Sequence, residues 1–147
     1  MSMSEVSFRP ATSDDDASIR ALLSASALPT DDVAASRQTF VVAVGDDGLQ
    51  GSIALEFFDG TALVRSLAVR AELRGAGLGG RLLARALELA VGRYIRTLYL
   101  LTTSAQEFFA RRGFEVVDRS AAPKAMRESR EFADLCPTTA VCMMTRL

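Results

Sequence analysis

The chain has 147 residues, 49% of them hydrophobic and 24% charged, with two cysteines and no histidine. This length and this balance of residues predict one globular domain over residues 1–147. The absence of histidine excludes imidazole bases, His-containing triads and His-ligated zinc, so no metal site is expected. Two cysteines are too few for a disulfide scaffold, no apolar run spans a bilayer and the first ten residues lack a signal-peptide pattern; we therefore expect a cytoplasmic protein without a membrane partner.

The formal net charge of −1 is unevenly distributed along the chain. Residues 1–60 carry three arginines and ten acids, residues 61–100 carry seven arginines and two acids, and residues 101–147 carry seven cations and six acids. A net charge near zero argues against a nucleic-acid partner. The basic middle segment instead indicates a small anionic ligand.

Two helices and four strands are predicted in the first 70 residues. A strand over 6–10 is followed by Ser13 and three aspartates, which predict an N-cap and the first turn of a helix with an apolar face of Ile19, Leu22, Leu23 and Leu28. Residues 30–32 predict the start of a second, short helix. Turn residues at 45–48 and 59–60 separate three β-rich runs, which predict an antiparallel meander of strands over 39–44, 51–58 and 61–69.

The second half alternates helical and strand patterns. Apolar residues at helical spacing predict a helix from Leu78 to Gly92, and an almost wholly apolar run over 97–102 predicts a strand buried on both faces. Shorter patterns predict helices over 106–112 and 123–130 and strands over 114–117 and 140–147. The crossover from strand 61–69 through a helix to strand 97–102 requires a parallel pair, so the prediction is an α/β (α+β) fold with a mixed, mostly antiparallel sheet of six or seven strands.

Four glycines, at positions 75, 77, 79 and 80, surround the start of the predicted helix at Leu78. The helix N-terminus directs free N–H groups and the positive end of its dipole toward this loop, and glycines let a phosphate approach the backbone. Since such glycines cost conformational entropy and the sequence shows no packing gain from them, we interpret the loop as a phosphate cradle.

The spacing Gly75-x-Gly77-x-x-Gly80 also matches a dinucleotide fingerprint, but a lone match is weak evidence. Three antiparallel strands precede the loop, and the next strand ends in Thr102 and Thr103 rather than in an acid. A dinucleotide site is therefore not favoured.

Two segments resemble the signatures of a known family. Leu67-Ala68-Val69, followed by Arg74-x-x-Gly77-x-Gly79, is similar to the acyl-CoA signature of the GNAT N-acetyltransferase superfamily. The strand 98–102 with the Phe-Phe-Ala-Arg-Arg-Gly-Phe run over 108–114 is similar to its second signature, and the order of elements also agrees.

This resemblance implies the GNAT acyl-CoA N-acyltransferase fold, in which strands 61–69 and 97–102 splay and acetyl-CoA lies in the wedge. The backbone of Leu67, Ala68 and Val69 would pair with the pantetheine amides. The pyrophosphate would be held by the loop residues Arg74, Gly75, Ala76, Gly77, Leu78, Gly79 and Gly80. An amine would attack the thioester directly, with no acyl-enzyme.

A narrower likeness concerns the strand over 98–103, Phe108-Phe109 and the Leu135-Cys136-Pro137 tail. These segments resemble the N-acetylglutamate synthase type of amino-acid acetyltransferase and, more closely, the GNAT branch named for arsenic-resistance operons. The likeness implies a small amino-acid-like amine as acceptor and a link to resistance against arsenic or toxic analogues. An alternative function is glutamate N-acetylation in arginine biosynthesis. The synthases carry basic residues at the positions that correspond to 136–139, and because this chain lacks them, glutamate is less favoured as the acceptor. Many proteins of this fold are dimers, so a homodimer is one expectation.

The chain departs from the family at two catalytic positions. Many members carry a Tyr where this chain has Phe109, which we expect to be a core residue. The departing CoA thiol, with a pKa of about 8.5, can leave as a thiolate with modest help. Many members also carry a Glu where this chain has Arg65, and the nearest acid on a neighbouring strand is Glu56, our candidate for the general base. These departures also support an alternative, a CoA-binding module without catalysis.

The remaining candidates concern the acceptor. Arg65 could clamp an acidic group of the acceptor with its forked guanidinium, or form an ion pair with Glu56, and the sequence leaves both open. Thr102 and Thr103, at the end of a central strand, could line the acceptor site. Cys136 could offer a thiolate to a soft arsenical, whereas Cys142 lies in a strand and is expected in the core.

Overall fold

The computed structural model describes residues 6–28, 30, 38–129, 131–132 and 139–147. The predicted second helix at 31–32 and the tail residues Cys136 and Pro137 lie outside the described residues. In chain order the elements are β1 (Ser7–Pro10), α1 (Asp16–Ala25), β2 (Gln38–Gly45), β3 (Gly48–Phe58), β4 (Thr61–Val69), α2 (Leu78–Gly92), β5 (Thr97–Thr102), α3 (Gln106–Ala110), β6 (Glu115–Val117), α4 (Lys124–Arg127) and β7 (Val141–Arg146).

The strands form one seven-stranded sheet in the order β1-β2-β3-β4-β5-β7-β6. Neighbours are antiparallel except β4 and β5, which are parallel, so the predicted mixed sheet and its crossover through α2 are confirmed. The last strand, β7, inserts between β5 and β6, an order that the sequence did not indicate.

The parallel pair β4 and β5 separates part of the way along. Pairing runs from Thr61 opposite Thr97 to Val64 opposite Leu100 and then stops, although β4 continues to Val69. Beyond this point β4 keeps pairing with β3, while β5 pairs with β7 over its whole length, from Thr97 to Thr102. Because each strand follows a different neighbour, a wedge opens between them at Arg65.

A β-bulge distorts β4 just past the start of this wedge. Ala54 pairs with Arg65 and Ser52 with Ala68, so Ile53 alone lies opposite both Ser66 and Leu67. Ser66 takes a left-handed φ of 57°, which is uncommon for a non-glycine residue, and its carbonyl accepts a 2.9 Å hydrogen bond from the Ser52 hydroxyl. The bulge changes which way the β4 backbone faces inside the wedge.

Both faces of the sheet are covered. On one face α2 buries Leu82, Leu83, Ala86 and Ala90 against alternate strand residues such as Val64 and Leu100. On the other, α1 packs on β2 and β3, and Met126 of α4 packs on Leu63 and Tyr99. Each fully buried Leu contributes about 1.5–3 kcal/mol relative to exposure. This double burial explains why the β5 sequence is apolar at almost every position.

The structure corrects several predicted boundaries. The N-cap of the first helical segment is Thr12 rather than Ser13; the Thr12 backbone N–H donates to the Asp15 carboxylate over 2.8 Å, and a 3-10 turn over Ser13–Asp15 leads into α1. Among the later elements, α3 ends at Ala110 instead of residue 112, before Gly113 with its left-handed φ of 93°. Pro123 caps α4 instead of lying in its first turn. None of the helices in the described ranges is long and apolar enough to cross a membrane.

Candidate functional site

The wedge between β4 and β5 opens into a groove of about 1490 Å³. Its walls are the β4 residues past the split, the glycine loop, the end of β5 and α3, with Glu131 and Ala140 at one side. All of the predicted site residues lie on it except Ala76 and Glu56. Those present are Arg65, Leu67, Ala68, Val69, Arg74, Gly75, Gly77, Leu78, Gly79, Gly80, Thr102 and Thr103.

The glycine loop presents an open helix N-terminus to the groove. Gly77 is the N-cap of α2, and both Gly75 and Gly77 take left-handed φ values, of 88° and 87°. A Cβ added at either position would meet nothing within 4 Å, so the space beside the backbone is free. The first N–H groups of the 15-residue helix α2 have no intrahelical acceptor, and no side chain of the N-cap residue satisfies them. The loop thus offers free donors and room for a phosphate.

Of the other two glycines, Gly80 has a packing role, and the expectation that none of the four gains from packing is wrong for it. A Cβ on Gly80 would lie 3.1 Å from the Arg112 guanidinium, whereas one on Gly79 would make an ordinary contact with the Phe108 ring. Arg112 in turn stacks on Phe108 at 3.8 Å and donates to its carbonyl. Gly80 therefore lets the Arg112 side chain lie close to the start of α2.

Arg74 is held at two points. Its Nε donates to the Val69 carbonyl over 3.1 Å, and its Nη2 donates to the Ser26 hydroxyl over 3.2 Å. Arg74 lines the groove, as do Gly75 and Gly77. These two hydrogen bonds thus hold a positively charged side chain at the groove.

Arg65 lies where the wedge opens and contacts two carboxylates. Its Nη1 is 3.0 Å from Oε1 of Glu56 on β3, and its Nη2 is 3.1 Å from Oε1 of Glu131. Arg65, Glu56 and Glu131 expose only 4%, 8% and 5% of their surfaces. Of the two roles considered for Arg65 from the sequence, the ion pair with Glu56 is therefore present. Isolated buried charges are costly, and this clustering gives each of the three side chains an opposite charge within about 3 Å.

Glu131 was not among the residues predicted from the sequence. It follows α4 and lies 66 positions after Arg65. Glu128, three positions earlier, is also a glutamate in a polar stretch, so the sequence alone does not distinguish the two. Only the buried Phe132 beside Glu131 distinguishes the site, because Phe132 packs into the core under β5 and draws the preceding residue inward. A contact of this sequence separation has no local pattern.

The β5 end and α3 hold the remaining candidates. The Thr102 hydroxyl accepts backbone N–H bonds from Ser104 and Ala105, at 3.4 and 2.9 Å, and so turns the chain into α3. Phe109 is buried, as expected of a core residue, with its ring edge-on to Phe108 and Phe114. No hydroxyl stands at that position to protonate a leaving group.

Two further observations concern thiols and metal ligands. Cys142 is buried in the core as expected, and burial raises the pKa of its thiol to about 11. Within the described ranges, no three side chains of Cys, Asp or Glu are grouped so as to hold a metal ion.

Comparison with known proteins identifies the class. Residues 36–116 match the acetyltransferase (GNAT) domain family, so the chain belongs to the GNAT family. It is 33% identical over 91 residues to the amino-acid acetyltransferase of Neisseria meningitidis serogroup A, a match that covers 60% of this chain and 21% of that protein. The match thus spans about a fifth of the length of this curated relative.

Solved structures share the fold over nearly the whole chain. N-acetylglutamate synthase from Neisseria gonorrhoeae, complexed with coenzyme A and N-acetyl-glutamate, is 27% identical with a TM-score of 0.83, covering 99% of this chain and 36% of that one. A Mycobacterium tuberculosis protein in complex with CoA and a second ligand is 25% identical with a TM-score of 0.81, covering 96% of this chain and 99% of that one. The expected GNAT acyl-CoA N-acyltransferase fold is confirmed.

Proposed function

We propose that this chain is an N-acetyltransferase that moves the acetyl group of acetyl-CoA to the amine of a small amino-acid-like acceptor. The observation that carries the proposal is the wedge between β4 and β5, which has the open N-terminus of α2 toward one end and the buried Arg65 cluster at its apex. Membership of the GNAT family and relatives named amino-acid acetyltransferase and N-acetylglutamate synthase support the reaction and the acceptor class.

The residues present fit acetyl-CoA. The left-handed glycines Gly75 and Gly77 leave free space beside the backbone, and the unpaired N–H groups of α2 suit a pyrophosphate. Arg74 adds a fixed positive charge at the same edge. The backbone of Leu67, Ala68 and Val69, turned by the bulge at Ser66, would pair with the pantetheine arm.

Starting from the neutral amine, the transfer needs one bond made, one broken and one proton removed. The lone pair of the amine nitrogen forms a bond to the thioester carbonyl carbon, the C–S bond breaks and CoA leaves as its thiolate. The proton released by the nitrogen passes to a base. Glu56 is our candidate for this base; because it lies behind Arg65 and not on the groove, it would act through water.

The acceptor end holds Arg65, Thr102 and Thr103. Each terminal nitrogen of Arg65 already faces a carboxylate, so Arg65 would clamp an acidic group of the acceptor only by exchanging Glu131 for it. Thr102 supplies a hydroxyl that still has its own hydrogen to donate. A role in resistance to arsenic or toxic analogues, a cytoplasmic location and a homodimer rest on the sequence likeness and expectations given above.

A thiol-release assay with acetyl-CoA over a panel of amines tests the proposal. The panel contains neutral and acidic amino acids, glutamate, and their organo-phosphorus and organo-arsenic analogues. We expect turnover with at least one amino-acid-like amine, and mass spectrometry of the product should show one added acetyl group on nitrogen. Stabilisation by acetyl-CoA in a thermal-shift assay, with no turnover on any amine, would instead support the non-catalytic CoA-binding module. NAD and ATP serve as control ligands that should not stabilise the fold.

A further inference from the structure

Glu56 and Glu131 contact the same guanidinium but occupy different places. Glu131 lines the groove together with Arg65, whereas Glu56 approaches Arg65 from β3 and does not line it. Both carboxylates are more than nine-tenths buried. Of the two, Glu131 is therefore the carboxylate that a molecule in the groove can reach directly.

The position of the pair along the wedge matters as well. Val64 and Leu100 form the last pair between β4 and β5, and Arg65 is the next residue on β4. The contact between Arg65 and Glu131 therefore lies at the apex of the split. Under the proposed function, the amine of the acceptor has to meet the acetyl group between these two strands.

A buried carboxylate at this place has a chemical use. Amines with a pKa of about 8–10 are ammonium ions near neutral pH, so they must be bound as cations and then lose a proton before attack. A carboxylate supplies both the counter-charge and the proton acceptor. Since a buried ion pair contributes little net stability compared with packed apolar residues, fold stability alone does not explain an Arg–Glu pair that borders a groove.

We infer that Glu131 is the carboxylate that binds the ammonium group of the acceptor and accepts its first proton, while Arg65 positions it. The second proton, which the nitrogen releases on attack, is the one assigned above to Glu56. This inference rests on the proposed function and adds a catalytic residue to it. In the step, the N–H bond of the bound ammonium breaks, its electron pair stays on nitrogen, and the proton moves to a Glu131 oxygen or to a water that it holds. The neutral amine is then the nucleophile.

The test compares Glu131→Gln with Glu128→Gln, an exposed glutamate three positions away that contacts no part of the groove. We expect Glu131→Gln to lower kcat/KM for the acceptor about 10²–10⁴-fold, the usual range for a general base, while the Kd of acetyl-CoA changes by less than about twofold. Glu128→Gln should match the wild type in both. Unchanged kcat/KM in a folded Glu131→Gln protein would overturn the inference.

Two further arms keep the result decisive. If Glu131→Gln does not fold, Glu131→Asp, which retains the charge on a shorter arm, should still lose at least about tenfold in kcat/KM with acetyl-CoA affinity preserved, and wild-type kinetics would overturn the inference. Glu56→Gln should alter the pH–rate profile less than Glu131→Gln, whereas the reverse order would make Glu56, and not Glu131, the group that takes the first proton of the ammonium.

Calorimetry of amine binding with CoA present separates the proposed acetyltransferase function from the proposed role of Glu131. A wild type that binds amines through Glu131 but never turns over contradicts the proposed function and leaves the binding role intact. A wild type that neither binds nor acetylates any amine contradicts both.

Discussion

Arg74 is joined to Ser26 by a 3.2 Å hydrogen bond, which ties the loop after β4 to the C-terminal end of α1. The same guanidinium donates to the carbonyl of Val69, the last residue of β4. The side chain that the sequence assigned to phosphate binding is therefore also a link between two elements on either side of the groove.

Removing the Arg74 side chain should weaken acetyl-CoA binding. We expect Arg74→Ala to raise the Kd of acetyl-CoA about tenfold, since a charge-assisted contact of about 1.4 kcal/mol is lost. Ser26→Ala, which removes only the link to α1, should change it by less than about twofold. Calorimetry decides between them, and an equal loss in both variants would mean that Arg74 acts by placing α1 rather than by its charge.

The left-handed glycine at the start of α2 can be tested against a matched position. Gly77→Ala and Gly113→Ala both force an alanine into a φ near 90°, at a cost of about 1–3 kcal/mol in folding. Only Gly77 lies on the groove, so we expect only Gly77→Ala, and more strongly Gly77→Val, to weaken acetyl-CoA binding beyond the loss in stability. Thermal unfolding measures the strain and calorimetry the affinity. An unchanged CoA affinity in folded Gly77→Val would contradict the phosphate cradle.

Features set by local sequence were predicted correctly, and features set by contacts between distant segments were not. The strand Thr61–Val69, the helix Leu78–Gly92 and the strand Thr97–Thr102 match the predicted bounds because turn residues and side-chain periodicity are local signals. By contrast, the placement of β7 between β5 and β6 depends on contacts between distant segments. The pairing of Arg65 with Glu131 is equally non-local.

The smaller differences between the predicted and observed structure also have physical causes. The bulge places Ser66 in a left-handed conformation that its own side chain does not favour, so the sequence around it looks like an uninterrupted strand. Thr12 and Ser13 are both good N-cap residues, and the geometry with Asp15 decided for Thr12. The close contact at Gly80 depends on the position of Arg112, 32 residues further along the chain, so no local pattern predicts it.

Arg65 should affect folding as well as activity. Arg65→Ala leaves Glu56 and Glu131 buried without their shared cation, and breaking a buried pair in this way costs about 3–5 kcal/mol. We expect Arg65→Ala to unfold at lower urea than wild type, and Arg65→Ala/Glu56→Gln to lose less stability than the sum of the Arg65→Ala and Glu56→Gln losses. A double-mutant cycle in urea gives the coupling. Additive losses would show that the pair contributes nothing to the fold.

The same residue allows a test of acceptor choice. If Arg65 exchanges Glu131 for an acidic group of the acceptor, Arg65→Lys should raise the acceptor KM more for acidic than for neutral amines, because lysine keeps the charge but loses the fork. The Kd of acetyl-CoA should stay constant. Equal use of acidic and neutral amines by the wild type would leave Arg65 as a structural partner of the two glutamates only.

Acid stability should depend on Asp15. Hydrogen bonds from Arg9, and then from the Thr12 backbone, lower the pKa of Asp15 from 3.8 to about 2. A lowered folded-state pKa means that the stabilisation is complete above the unfolded value and is lost as the pH falls through about 2. Asp15→Asn should therefore lower Tm from pH 7 down to about pH 4, with the difference from wild type shrinking below that and disappearing below about pH 2. The exposed neighbour variant Asp14→Asn is the control, and a difference that does not shrink between about pH 4 and pH 2 would assign the loss to packing instead.

Cys142 should be unreactive in the folded protein. Burial raises the pKa of its thiol to about 11, so the thiolate, the reactive form, is scarce at the pH of a thiol-release assay, a fraction of about 10⁻³ at pH 8. In a Cys136→Ser protein, which leaves Cys142 as the one cysteine of the chain, we expect almost no labelling by a disulfide reagent at pH 8 and one equivalent after denaturation. Raising the pH toward 11 in the folded state should increase the rate, because more thiolate forms. Rapid labelling at pH 8 would show that the core beneath β7 opens readily. It would also mean that thiol release in the acetyltransferase assay has to be corrected for the protein itself.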